Sequence, residues 1–145
     1  MLIKKNIITV ETQAGISIFD ISAQINACLE ESGIRNGFVI VASRHTTTAV
    51  TINEYEERLL EDIHAFFTRL VPPGNKYLHN DIHLRDCPPD EPENAHSHLI
   101  AMLLGSSESI PVTEEKLAIG QYQSVMLVEL DGPRTRQVNI QVIGE

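Results

Sequence analysis

Ile, Val and Thr crowd the stretch from Met1 to Glu11, which predicts a strand. The period then lengthens. Ile18, Ile21, Ile25, Cys28 and Leu29 recur at helical spacing, and Gly33 stands where a helix C-cap belongs. Gly37 opens Phe38-Val39-Ile40-Val41-Ala42, an apolar run of buried-strand length. After Arg44 and His45, the stretch Thr46 to Asn53 is dominated by β-branched residues and reads as extended. Leu59, Leu60, Ile63, Phe67 and Leu70 mark a second amphipathic helix from about Glu54, and its acidic first turn suits the positive end of the helix dipole. Pro72-Pro73-Gly74 stops it. Asn75 to Asn94 is long and irregular, a kind of segment that is often functional in compact domains. Asn94 is placed to cap a short third helix carrying Leu99, Met102 and Leu103, ended by Gly105. Short β-like runs follow at Ile110–Val112, Leu117–Ile119, Val125–Leu130 and Val138–Ile143. Strands outnumber helices and cluster toward the C-terminal end, which predicts an α+β fold rather than βαβ alternation.

Composition narrows this picture. A chain of 145 residues with 42% hydrophobic content fits one domain, residues 1–145, with one substantial core. The net charge is −9 and the longest basic cluster is Arg134-Thr135-Arg136, so no phosphate-neutralising stripe is present and a nucleic-acid partner is not expected. No window is apolar enough to cross a bilayer, and the N-terminus lacks the apolar run of a signal peptide, so no membrane partner is expected. Cys28 lies on the apolar stripe of the first helix and Cys87 precedes Pro88-Pro89 in the irregular segment. A reducing, cytoplasmic setting is the simpler expectation for two cysteines so placed.

The candidate chemistry is histidine chemistry. Read as a strand, His45 to Asn53 would present His45, Thr47, Ala49, Thr51 and Asn53 on one face, a mostly polar wall headed by an imidazole. The competing reading is a half-exposed strand whose threonines serve β-propensity. In Asn94-Ala95-His96-Ser97-His98 two imidazoles sit two residues apart. On a helix they diverge, and His98, one turn from Met102, is expected to face inward. A capping or surface role is the alternative. His79, Asp81, His83 and Asp86 lie within one ten-residue stretch, enough for a zinc site if the loop covers a pocket, although charged loops are more often simply solvated. Phosphate-binding, dinucleotide-binding and nucleophile-elbow glycine motifs are absent, as is a Cys-x-x-Cys pair, which removes nucleotide-driven and Rossmann-type chemistry.

These pieces resemble a known set. His45-Thr46-Thr47 followed by Val50-Thr51-Ile52-Asn53-Glu54 is similar to the His-Thr-Ser…Leu-Thr-Ile-Asn-Glu segment of the YjbQ-like family. Asp62-Ile63-His64-Ala65-Phe66-Phe67, Tyr77-Leu78-His79-Asn80, Asn94-Ala95-His96-Ser97-His98-Leu99, Leu104-Gly105-Ser106-Ser107 and Ile110-Pro111-Val112…Gly120-Gln121-Tyr122-Gln123 follow in that family's order. The chain departs from the family pattern at Gln121-Tyr122 in place of Thr-Trp, at Asn80 in place of Asp, and at Thr48-Ala49.

The resemblance implies a mostly antiparallel β-sheet or sandwich with two to three helices, assembled as a homotrimer. It implies a secondary thiamine-phosphate synthase, which joins hydroxymethylpyrimidine diphosphate to thiazole phosphate and releases diphosphate. On that reading His45, His98 and Asn53 are catalytic, and Thr47, Tyr122, Arg134 and Arg136 bind the small-molecule substrate. The alternative is a metal- or small-ligand-binding trimer without turnover, in which His45, His79, His96 and His98 hold a divalent ion such as zinc or magnesium.

Overall fold

In the computed structural model, which describes residues 1–145, eight strands form two sheets and every pairing is antiparallel. Strands β1 (Leu2–Glu11), β3 (Gly37–Ser43), β5 (Ser107–Thr113), β6 (Lys116–Leu117) and β8 (Thr135–Gly144) build the larger sheet in the order β1-β8-β3-β5-β6. Strands β2 (Gly15–Asp20), β4 (Thr48–Asn53) and β7 (Ser124–Gly132) build the smaller one in the order β2-β7-β4. Helices α1 (Ser22–Ser32), α2 (Glu57–Leu70) and α3 (Ala95–Leu104) complete the α+β fold.

Alternation along the strands explains how the layers meet. Val39 and Val41 of β3, Ile110 and Val112 of β5, and Val138, Ile140 and Val142 of β8 point to one face of the larger sheet. They pack against Val50, Val125 and Leu127 of the smaller sheet and against Ile21, Ile25 and Leu29 at α1. The other face of the smaller sheet supplies Ala49, Val128 and Leu130, covered by Phe67 of α2 and by Ile100 and Ala101 of α3. The smaller sheet is therefore covered on both sides, which is why Val125–Leu130 is a continuous buried run.

Three elements differ from the sequence reading. Ile18 lies in β2, paired with Val128, and the helix starts only at Ser22, because the edge of β7 takes Gly15–Asp20 as a strand. Gly33 does close α1, in the left-handed region at φ 67°. His45, Thr46 and Thr47 precede β4 and lie in a bend, so the expected single face from His45 to Asn53 does not form. Asn94 sits at the N-terminus of α3, but its side chain does not cap the helix; Asn80 Oδ1 accepts the Ala95 N–H at 3.1 Å instead.

The chain passes between the sheets three times at one end of the sandwich: after β1 at Thr12, after β3 through Arg44–Thr47, and after β7 through Pro133 and Arg134. The passages are stitched together. Thr12 N–H donates to the Arg134 carbonyl at 2.9 Å, Arg44 N–H to the Gln137 carbonyl at 3.3 Å, and Leu130 N–H to the Thr47 carbonyl at 3.1 Å. Gly132 is the tight point, since a Cβ there would lie 1.8 Å from the Gln13 carbonyl oxygen. Gly132→Ala is expected to cost about 1–3 kcal/mol by forcing the β1–β2 and β7–β8 passages apart. Urea unfolding would check it, and an unchanged midpoint would contradict this account.

Candidate active site at the sandwich corner

The end where the chain changes sheets holds a buried ion pair. Glu129 shares the inward face of β7 with Val125 and Leu127, and Arg136 shares that of β8 with Val138 and Ile140. Both strands deliver a charged side chain to the edge of an apolar core, where each needs the other. Arg136 Nε and Nη2 donate to the two oxygens of Glu129, each at 2.6 Å, with side-chain exposures of 4% and 0%. Thr12 Oγ1 donates to Glu129 Oε2 at 2.7 Å, and the Asp131 N–H donates to Oε1 at 2.8 Å. Arg136 Nη2 also donates to Thr47 Oγ1 at 2.8 Å. Burial opposes the Glu129 charge, but these hydrogen bonds, led by Arg136, hold its pKa below the ordinary carboxylate value.

Above this pair opens a cleft of about 370 Å³ without a hydrophobic residue in its wall. Its donor side is Arg44, His45, Thr47 and Arg136, and Arg136 Nη1 makes no hydrogen bond within the chain. Arg44 is exposed and bonded only to Gln137 Oε1, at 2.8 Å. Its acceptor side is Glu91, Asn94 and Asp131. Asn94 Nδ2 donates to Asp131 Oδ2 at 2.7 Å, which fixes the amide and leaves its buried Oδ1 without a partner. Arg134 closes the rim through a 2.9 Å ion pair with Asp131.

Both cleft histidines are neutral. The Gln137 N–H donates to His45 Nε2 at 2.9 Å, so that nitrogen carries no proton and the ring proton sits on Nδ1. Burial, then the Arg136 guanidinium, lowers the His45 pKa against the pull of Glu129. His98 enters the wall from α3, and its ring meets His79 edge-to-face at 4.8 Å. Burial, then His79, lowers its pKa as well, against Asp131.

His45, His98, Thr47, Arg134 and Arg136 therefore converge, and His79 backs His98. Three residues singled out from sequence stand elsewhere. Asn53 is exposed at the far end of β4, about six residues or roughly 20 Å along the chain from Thr47, and accepts the Glu54 N–H. Tyr122 is 69% exposed in the turn before β7, at the opposite end of that strand from Asp131. His96 diverges from His98 on the helix; burial lowers its pKa and its Nδ1 has no partner. No three His, Cys, Asp or Glu side chains of the chain are grouped to hold a metal ion, so His45, His79, His96 and His98 do not form one ligand set within it. Arg44, Glu91, Asn94 and Asp131 in the cleft wall, and Glu129 beneath it, are residues to which sequence reasoning gave no site role. A glutamate inside the apolar run Val125–Leu130 was the available signal, because a buried carboxylate demands a partner.

A family profile described as "UPF0047 protein YjbQ-like" matches residues 6–145. A UPF0047 protein of Methanothermobacter thermautotrophicus is 42% identical over 92% of this chain and 87% of its own length. The chain belongs to the UPF0047, YjbQ-like family. A YbjQ-like protein of unknown function from Sulfolobus solfataricus superposes with a TM-score of 0.89 at 36% identity, covering 99% of each chain. A hypothetical protein from Aeropyrum pernix does so with the same TM-score at 37% identity, over 98% of this chain and 99% of that one. The family thus accounts for the fold and leaves the role of the YjbQ-like corner undefined. No helix is long and apolar enough to cross a membrane.

The neutral imidazoles make stability pH-dependent in a defined direction. Their folded-state pKa values lie below the ordinary histidine value of about 6.5, so the unfolded chain takes up protons first as pH falls. Their contribution is complete above about pH 6.5 and is lost as pH drops through the folded values. The melting temperature is expected to fall between about pH 7.5 and pH 5.5. His45→Gln, which keeps an acceptor for the Gln137 N–H but cannot titrate, should flatten that slope. An identical slope in the variant would show that His45 is not among the groups responsible.

Proposed function

We propose that the corner cleft binds the phosphate or diphosphate of a small-molecule substrate, and that the protein is a transferase of thiamine-phosphate-synthase type. The observation that carries this reading is the Arg136 guanidinium. It is locked by Glu129 and Thr47 and keeps a free Nη1 at the wall of a mostly polar cleft, which the exposed Arg44 and the Nδ1-protonated His45 also line. Donors already held in position stabilise charge as it develops on a leaving group, with little reorganisation. In the proposed reaction the C–O bond between the pyrimidine methylene and diphosphate breaks, and the thiazole nitrogen takes that carbon. Both bonding electrons leave with diphosphate. Because burial favours the neutral imidazoles, the net positive charge comes from Arg44; Arg136, its charge balanced by Glu129, supplies a fixed donor at Nη1, and His45 and His98 supply hydrogen bonds. Asn53 and Tyr122 play no part in this scheme.

The assembly proposed with it is a cytoplasmic homotrimer. Exposed Phe66, Leu70, Leu78 and Leu103 offer apolar surface for association. Light scattering at micromolar concentration tests it, and a monomer would refute it. A second reading, ligand binding without turnover, draws support from the pairing of Arg134 and Arg136 with carboxylates. A divalent ion on this reading would be shared between copies or brought in with the ligand.

Purified protein given both substrates and magnesium should form thiamine phosphate. Arg44→Gln and His98→Ala should each lower kcat/KM on the order of tenfold or more. Arg44→Gln should do so without changing the melting temperature, since that side chain is exposed. Full activity in both variants would remove the corner from the chemistry, and ligand binding without product would favour the second reading. Arg136→Met is unsuitable alone: it strands the Glu129 carboxylate and should cost about 3–5 kcal/mol. Glu129→Leu combined with Arg136→Met should recover much of that stability in denaturant titration while still failing to bind phosphate.

A further inference from the structure

A second cleft, of about 500 Å³, lies on the other side of His45, Thr46 and His98, which line both spaces. Its remaining wall is Thr48, Ala101, Met102, Gly105 and Ser106. The contrast with the corner cleft is chemical. No charged side chain enters this wall, and most of its polar groups are already engaged. The Thr48 hydroxyl is hydrogen-bonded to Ser43 Oγ, the Gly105 N–H to the Ala101 carbonyl, the Gly105 carbonyl to the Val50 N–H, and the Ser106 carbonyl to the Ser43 N–H. What remains open is the Thr46 and Ser106 hydroxyls, small-residue surface and the Met102 side chain, 82% exposed at the rim. Unbranched and polarisable, a methionine adapts its contact to flat or aromatic groups.

We infer that the two clefts form one bipartite site for an organic phosphate, with the anion in the corner and an uncharged, flat ring beside Met102. This inference rests on the anion reading of the corner and adds the class of body that the phosphate carries. The shared wall of His45 and His98 then lies at the junction between anion and body, where bond making or breaking would occur. Met102 is the specificity-determining residue, and its adaptable contact with a flat ring selects against phosphates borne on open, strongly hydrated chains.

Calorimetric titration of the whole protein with inorganic phosphate, glycerol 3-phosphate and phenyl phosphate tests this. Phenyl phosphate should bind about tenfold more tightly than the other two, the gain expected for covering about half of a ring's apolar area. Met102→Gln, nearly isosteric and on an exposed helix face, should reduce that advantage to about threefold or less with phosphate affinity unchanged. Arg44→Gln should weaken all three ligands by a similar factor. Phosphate binding with no preference for phenyl phosphate, or a preference undiminished in Met102→Gln, overturns the inference and leaves the corner reading standing. Failure of inorganic phosphate to bind overturns both.

Discussion

The pairing of Glu129 with Arg136 is the constraint on which the corner depends. Neither charge is tolerable alone at the edge of an apolar core, and the desolvation cost of such a pair can match or exceed its attraction. Its consequence is positional. The carboxylate accepts from Thr12 beyond β1 and from the Asp131 backbone on β7, while the guanidinium donates to Thr47 before β4 and is itself carried by β8. All three passages of the chain between the sheets are therefore referenced to one bidentate contact. Movement of any passage would lengthen a charge-assisted hydrogen bond in surroundings of low dielectric, where such bonds are strongest.

That rigidity decides the electrostatics of the cleft. A chain of net charge −9 is a poor attractant for anions at long range. The corner answers this locally, with the donors that remain free on Arg44 and at Arg136 Nη1 once Gln137 and Glu129 have taken their share. The histidines contribute in the opposite sense from the usual expectation of positive charge. With the His45 Nε2 lone pair taken by the Gln137 N–H, protonation would set two donors against each other. Neutrality thus follows from geometry as well as from burial, and the imidazole acts as a fixed hydrogen-bond donor at Nδ1.

Much of the fold could be read from periodicity, because most buried positions follow the period of their element. The strands at Phe38–Ala42, Val125–Leu130 and Val138–Ile143, the left-handed Gly33 and the helix after Asn94 all obey that rule. Ile18 misled because an edge strand joined to a helix by one residue leaves a hydrophobic spacing that mimics a longer helix. The site was legible only in part. His45 and Thr47 stand out in sequence as part of a polar face on a β-rich stretch and His98 by its helical spacing from Met102, whereas Arg134 and Arg136 enter only through the reaction that the family resemblance implies. Asn53 was assigned by carrying strand alternation back to His45, across a bend that breaks it. Asp131, Asn94 and Arg44 matter through partners distant in sequence, and no local pattern records those.

The irregular Asn75–Asn94 segment completes the cleft by a different means from the strands. It carries no regular element beyond two single 3-10 turns, at Leu78–Asn80 and Ile82–Leu84, yet it is tied down at defined points. Arg85 donates to the His79 carbonyl at 2.9 Å, Tyr77 Oη donates to the Pro72 carbonyl at 2.7 Å, and Asn80 Oδ1 accepts the Ala95 N–H at the start of α3. An aspartate at position 80 would make the same bond to the Ala95 N–H with added charge at the positive end of the helix, so a capping role accounts for either residue without a metal. Through that cap and the His79–His98 contact, the segment bearing Glu91 and Pro92 is fastened to the helix bearing His98 and Met102. The cleft thus has one wall set by the ion pair between the sheets and another set by a loop–helix unit. Asn94 Nδ2 donating to Asp131, and Ser97 Oγ donating to the Leu130 carbonyl at 2.6 Å, join the two walls, so a ligand spanning both would meet a surface already held in register.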